Sequence, residues 1–367
     1  MLGPMTEAKE ALIEWLQFEA SAAADPAALL TDLCARLLAA EVPLRSASLS
    51  IATLHPLVTG STFEWRRDRA EALEMPRFHG MTGGPGFGAA ALPGHLELEI
   101  AFSDGSRHRL VLASDRAQGF DRATSTHLQR IARLLAGPLE ILVTRQTAAT
   151  LMETYLGRRS GARVLAGAVQ RGDGETINAV LWCSDLRGFT TLSESLPRDR
   201  VIALLNAHFE RLVAPIKAFG GEVLKFMGDG LLAIFPTEAA GASRACDRAL
   251  KAARGARAGM AALNGERRAS GESALEFGLA LHLGDVMYGN IGAPDRLDFT
   301  VIGPTVNLAS RLGALCKQLD CPVLASAAFA KACSEPLEAL GTYTLPGIEQ
   351  PAEVFTMAEL RHPPREG

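Results

Sequence analysis

The sequence has no apolar run approaching the ~20 residues that cross a bilayer. It also lacks a basic-then-apolar leader at its start, an internal repeat and any low-complexity tract. No long run of one charge is present: 37 Lys and Arg stand against 41 Asp and Glu, for a net charge of −4. That balance argues against nucleic acid or an anionic membrane as the main partner. The six cysteines (Cys34, Cys183, Cys246, Cys316, Cys321 and Cys333) form no C-x-x-C pair, and the Cys316/Cys321 spacing is not a common zinc spacing. They read as reduced thiols, and the expectation is a soluble, cytoplasmic protein.

What is there suffices for two or three domains: 367 residues, 48% of them apolar, enough to build sizeable cores and to exclude general disorder. Helical spacing of apolar residues marks Thr6–Ala20 and Pro26–Ala40 as helices, and Ala47–Leu54 and Thr62–Arg66 read as strands. Thr82–Gly94 holds Gly83-Gly84-Pro85-Gly86 and is not expected to be regular. His95–Phe102 and His108–Ser114 alternate around Ser103-Asp104-Gly105-Ser106, a hairpin. From Asp121, a candidate N-cap, to about Tyr155 the chain reads as one helix. Leu128, Ile131, Leu135, Leu139 and Leu142 make a stripe on it, for a partner helix or for the domain's own sheet. The Gly- and Arg-rich stretch Arg158–Thr176 is the best boundary. The expected layout is a regulatory domain over 1–120, a connecting helix and linker over 121–175, and a second domain over 176–362.

The second domain alternates differently. Asn178–Ser184 reads as a buried strand, Pro197–Phe219 as a helix stopped by Gly220-Gly221, and Glu222–Phe226 and Leu231–Phe235 as strands around Met227-Gly228-Asp229-Gly230. Glu238–Asn264 is a helix, Leu275–Leu283, Asp285–Tyr288 and Leu297–Ile302 are strands, and Thr305–Leu319 is a helix. The order is β-α-β-β-α-β with additions, a ferredoxin-like α+β fold. A strand–helix–strand unit makes its two strands parallel. Asp185, ending the first, and Asp229, just after the second, should therefore emerge at one edge of the sheet. Alone, Asp229 before Gly230 is an ordinary turn residue. As a pair, the two carboxylates suit hard divalent cations, with water and phosphate completing the shell. Lys225 lies in an apolar strand, where alternation places it on the side of Val223. Asn307 and Arg311, at i and i+4, share a helix face. His282 and Trp182 read as packing residues.

Ser184-Asp185-Leu186-Arg187-Gly188-Phe189-Thr190, Glu222-Val223-Leu224-Lys225-Phe226-Met227-Gly228-Asp229-Gly230 and Gly303-Pro304-Thr305-Val306-Asn307-Leu308-Ala309-Ser310-Arg311, in that order, resemble three motifs of class III adenylyl and guanylyl cyclases. Ala280–Val286 and Gly289–Gly292 are similar to the bacterial branch. The resemblance covers about residues 175–360. It implies that Asp185, Asp229 and the Leu186 carbonyl hold two Mg²⁺ or Mn²⁺ ions per active site. It implies that the backbone of Gly188, Phe189 and Thr190 faces the terminal phosphates, that Asn307 orients the ribose and that Arg311 meets the α-phosphate. Lys225 would hydrogen-bond adenine. Thr300 stands where many cyclases carry an Asp that also reads adenine, a Thr typical of the class IIIb branch. A lysine donates only, which suits adenine N1 and makes ATP the expected substrate.

The family places the two halves of its site on opposite subunits, so a homodimer is implied, with the 121–157 segment pairing across it through Leu135 and Leu139. The IIIb likeness further implies a response to bicarbonate. Residues 1–150 resemble, in outline only, a GAF- or PAS-like sensory domain, which either binds a small-molecule ligand or only dimerises. Two departures bear on the triphosphate grip: Pro346 falls where many members carry a Lys, and Gly278 where the metazoan branch carries an Arg. The alternatives are a guanylate cyclase and a catalytically silent nucleotide- or ligand-sensing module.

Overall fold

The computed structural model describes residues 4–54, 57–79, 94–237 and 241–360. The Gly-rich Thr82–Gly94 stretch, all but its last residue, and the first residues of the expected Glu238–Asn264 helix lie outside them. The chain divides between Leu151 and Met152 into two compact units. Among the described residues no helix is long and apolar enough to cross a membrane, and all six cysteines are free thiols.

The first unit runs α1 (Pro4–Phe18), α2 (Pro26–Ala39), β1 (Leu44–Ala52), β2 (Val58–Arg66), β3 (Leu73–Phe78), β4 (His95–Ala101) and β5 (Arg107–Ser114) into α3 (Arg122–Leu156). Its sheet is antiparallel throughout, in the order β3-β2-β1-β5-β4. In β1, Ala47, Leu49 and Ile51 alternate with Ser46, Ser48 and Ser50, so the pleat sends these three apolar side chains to one face. That face packs with Phe63, Trp65, Ile100 and Leu110 against the helices. On the other face Arg107 meets Glu99 and Arg109 meets Glu97 across β4 and β5. Asp25 caps α2 through the Ala28 amide at 2.8 Å, and Asp121 caps α3 through the Thr124 amide at 2.7 Å. The α3 stripe serves this unit's own core: Leu128, Ile131, Leu135, Leu139 and Leu142 are all buried there. The expectation that Leu135 and Leu139 pair across a dimer is therefore corrected, because those side chains are already committed.

The second unit holds α4 (Arg158–Leu165), β6 (Gly174–Leu186), α5 (Phe189–Ser195), α6 (Arg198–Ala218), β7 (Glu222–Met227), β8 (Gly230–Pro236), α7 (Gly241–Ala269), β9 (Phe277–Ala293), β10 (Arg296–Ile302), α8 (Pro304–Gln318), β11 (Val323–Ser326), α9 (Ala327–Ala332), β12 (Glu338–Tyr343) and β13 (Ala352–Thr356). The ferredoxin-like order is β6-α6-β7-β8-α7-β9. The eight-stranded sheet reads β12-β13-β11-β9-β6-β8-β7, with β10 hairpinned onto β9. β6 is antiparallel to β8, and β8 to β7, so β6 and β7 run parallel with β8 between them. Ala179, Val180, Leu181 and Trp182 are fully buried because helices cover both faces. What the sequence suggested as two strands, 275–283 and 285–288, is one continuous β9, since Gly284 stays in the β6 ladder opposite Ala179.

The boundary stretch after residue 157 contains a helix, α4, whose start is organised from β7. The Glu222 carboxylate accepts from the amides of Arg159 (3.0 Å) and Ser160 (3.1 Å), two of the donors a helix leaves unpaired at its first turn. The Ser160 hydroxyl also meets the Tyr288 hydroxyl at 2.8 Å.

Candidate active site

β6 ends where its apolar run gives way to Asp185, and β7 turns back into β8 through the two residues Gly228 and Asp229, with Gly228 left-handed at φ 65°. Ser184 pairs with Leu231, which sets the end of β6 beside that turn. The Asp229 carboxylate accepts from the Leu186 amide at 3.2 Å. Asp185, Leu186 and Asp229 thus meet at one edge of the sheet. Lost hydration, and then the charge of Asp229, push the Asp185 carboxyl above its ordinary pKa, while Arg187 acts in the opposite direction.

Across the ladder, Asp185 faces Gly278. A β-carbon on Gly278 would lie 3.1 Å from Asp185 Oδ1 and 3.0 Å from Cys316 Cβ. The glycine therefore makes the space that the carboxylate occupies, and a larger residue there needs the strand or α8 to shift.

Arg187 has a part that the sequence did not disclose. Its Nη2 donates to the carbonyls of Cys316 (2.9 Å) and Cys321 (2.8 Å), and its Nη1 to Asp320 at 3.2 Å. A planar fork of donors can join three acceptors at once. It ties the end of β6, which carries Asp185, to the C-terminal end of α8, where a cation is favoured by the helix dipole. Beyond it, Gly188 takes a left-handed conformation (φ 68°) before the short helix α5, which begins at Phe189 and Thr190.

Lys225 does not follow strict alternation with Val223. The β7–β8 pairing steps from Val223↔Ala233 to Lys225↔Leu232, a bulge at Leu224. Val223 packs with the α6/α7 core, and Phe226 stacks on Phe209 of α6 with ring centroids 4.5 Å apart. Leu224 instead joins the cluster around Tyr288 and Phe299, and Lys225 forms an ion pair with Asp298 on β10. A bulge re-aims a side chain in this way, and its extra residue is why period-two reasoning missed the direction. Thr300, two residues beyond Asp298, is buried at 9% exposure.

Asn307 and Arg311 lie exposed on α8, whose opposite face buries Ala309, Leu312 and Cys316. The helix begins at Pro304 and is pinned to β9 by the Thr305 hydroxyl, which donates to the Asp285 carbonyl at 2.6 Å. Neither Asn307 nor Arg311 makes a side-chain hydrogen bond or ion pair among the described residues. The structure joins Asp185 with Asp229, and brings Lys225 of β7 against β10, the strand that carries Thr300. It links Asn307 and Arg311 to neither group within one chain. His282 is buried against the Ser326 hydroxyl at 2.7 Å, and Trp182 is fully buried, so both are packing residues.

The family model of the adenylate and guanylate cyclase catalytic domain matches residues 174–357. Adenylate cyclase 1 of Rhizobium meliloti is 30% identical over 174 residues, 47% of this chain and 26% of that protein. The adenylate cyclase of Anabaena cylindrica is 33% identical over 149 residues, 40% of this chain and 28% of that one. An uncharacterized protein of Mycobacterium tuberculosis is 33% identical over 233 residues, 62% of this chain and 42% of its own length. The chain thus spans well under half the length of these curated relatives. Among solved structures, a bacterial light-regulated adenylyl cyclase shares the fold, with a TM-score of 0.53 and 21% identity over 74% of this chain and 86% of that one. With half of its length matched by the family model and the carboxylate pair inside that half, the chain belongs to the adenylate and guanylate cyclase catalytic domain family.

Proposed function

We propose that the protein is an adenylate cyclase that converts ATP to 3′,5′-cyclic AMP and pyrophosphate at two equivalent sites between two copies of the chain. The observation that carries the reading is the meeting of Asp185 and Asp229 through the Leu186 amide at the sheet edge. Two carboxylates and the Leu186 carbonyl are a hard oxygen donor set, and a cation would offset both causes that raise the Asp185 pKa, its burial first and then the charge of Asp229. The set fits two Mg²⁺ or Mn²⁺ ions whose remaining ligands are water and phosphate. Bound there, such ions supply Lewis-acid polarisation and neutralise phosphate charge.

The chain's own groups then divide the work. Asp185 and Asp229 hold the ions. The amides of Gly188, Phe189 and Thr190 face the terminal phosphates, as exposed amides ahead of a helix favour anions. Lys225 donates to adenine N1, beside Thr300. The substrate's 3′ oxygen forms a bond to the α-phosphorus as the bond to the bridging oxygen breaks and pyrophosphate leaves with the electron pair. The 3′ proton passes to solvent. Asn307 of the second copy orients the ribose, and Arg311 of that copy donates to the α-phosphate as charge builds on it. The exposure of Asn307 and Arg311, and their lack of side-chain partners among the described residues, support a site completed by a second copy.

The first unit is read as regulatory. It carries an open groove of about 260 Å³ walled by Ile51, Ser61, Phe63, Glu74, Val143 and Gln146 among others. One wall is α3, the helix that continues to Leu156, which makes the groove a place where a small molecule could act on the connecting segment.

The test is nucleotide cyclisation by the purified protein given ATP or GTP with Mg²⁺ or Mn²⁺, beside Asp229→Ala. Cyclic AMP from the unsubstituted protein, and none from Asp229→Ala, is the expected result. Cyclic GMP alone would overturn the base assignment, and no product from either nucleotide would overturn the enzyme reading.

A further inference from the structure

Lys225 brings three donors and no acceptor to whatever it faces. The six-membered edge of adenine offers an acceptor, N1, next to a donor, the 6-amino group. A lysine alone can satisfy the first and leaves the second unmatched. A site that distinguishes the 6-amino group from the 6-oxo group of guanine needs an acceptor within one hydrogen bond of the lysine nitrogen.

The structure contains one. Asp298 on β10 is ion-paired with Lys225 on β7, and the two side chains are 42% and 39% exposed, so both charged ends remain open to a ligand. An ionised carboxylate accepts only, with lone pairs to spare after one is given to the lysine. Thr300, the residue to which the family resemblance points, lies on the same face of β10 two positions on, but as a residue it is only 9% exposed. The intervening Phe299 points into the core against Tyr288, with ring centroids 4.8 Å apart. A half-exposed ion pair adds little to folding, so holding β7 to β10 is a weak reason for it.

We propose that Asp298, rather than Thr300, is the acidic partner of Lys225 in reading the purine. Its carboxylate accepts from the 6-amino group while orienting the lysine toward N1. Asp298 is then a specificity-determining residue. This inference rests on the adenylate cyclase reading above.

The experiment uses the full chain and three substrates: ATP, GTP and purine riboside 5′-triphosphate, which is ATP without the 6-amino group. Initial rates are taken for the unsubstituted protein, Asp298→Ala and Thr300→Ala, with ATP and the deaminated analogue run on the same preparation. Any loss of folded protein then cancels from their ratio. The unsubstituted protein should favour ATP over the deaminated analogue by about ten-fold or more in kcat/KM, the scale of a lost hydrogen bond to a charged group. Asp298→Ala should bring that ratio near one, by lowering kcat/KM for ATP about ten-fold more than kcat/KM for the analogue, which loses only the orientation of the lysine. Thr300→Ala should keep the ratio. A ratio preserved in Asp298→Ala, or lost in Thr300→Ala alone, overturns the assignment while leaving the adenylate cyclase reading intact. Preference for GTP in the unsubstituted protein overturns the assignment to adenine. No product from any of the three sinks the enzyme reading and this inference with it.

Discussion

The two units bury their sheets in opposite ways. In the first, strand neighbours are mostly hairpin partners, one sheet face is apolar, and the other carries cross-strand ion pairs such as Arg107–Glu99. In the second, β6 lies between β8 and β9, strands distant from it in sequence, and its centre is buried on both faces. A sheet covered on one side leaves its charged face to solvent, and the first unit's groove opens instead between the apolar face and α3, by Ile51, Phe63 and Val143. A sheet covered on both sides keeps only its edges and strand ends, where Asp185, Asp229, Lys225 and Asp298 are found. The position of the polar groups therefore follows from how each core is closed.

The sharpest way to test that contrast is to strip charge from the strand ends without touching a core. Asp185→Asn should reduce cyclic nucleotide formation at least about 100-fold. Thermal unfolding should be unchanged or shifted upward, because a like-charge contact with Asp229 is removed. A large drop in melting temperature would show that the edge is structural after all. The converse change is Leu135→Ala, which empties a fully packed site in the first unit's core. It should cost about 3 kcal/mol, read by calorimetry as a shift of one unfolding transition. Equal movement of both transitions would break the division into two independently cored units.

The smallest effect separates the units by pH. Burial lowers the pKa of His208 and of His282, both in the second unit, from 6.5 to about 4. With the folded value depressed, the unfolded chain takes up the proton first. Stability should therefore fall as pH drops below about 6.5 and level off below about 4. At pH 5 the loss should be about 2 kcal/mol per histidine. Urea titrations from pH 7.5 to 4.5 read it, and His208→Gln should flatten the slope; an unchanged slope would exclude His208 as its source.

The features legible in the sequence were those that local chemistry dictates. The two carboxylates stood out because each closes an apolar run beside a glycine turn, and the α3 stripe because 3.6-residue spacing is strict. Sequence alone did not name the stripe's partner, since Leu135 and Leu139 suit a second helix as well as a sheet. Arg187 sat inside a recognised motif, yet its carbonyl partners at 316 and 321 are more than a hundred residues away. Glu222 looked like the first residue of a strand, and its capping of α4 depends on a helix that Gly- and Arg-rich composition disguised. The direction of Lys225 was missed because one extra residue in β7 breaks a rule that holds everywhere else in that strand.

That extra residue makes β7 sensitive to length as well as to composition. Conservative replacement of Leu224 by another aliphatic residue leaves the count intact. Removal of Leu224 would restore a regular pleat with the lysine still on the opposite side from Val223 and still on the side of Asp298, but it would take from the Tyr288–Phe299 cluster the side chain that β7 gives it. The extra residue lets one six-residue strand send Val223 and Phe226 to α6 while two successive side chains, one apolar and one charged, both serve β10.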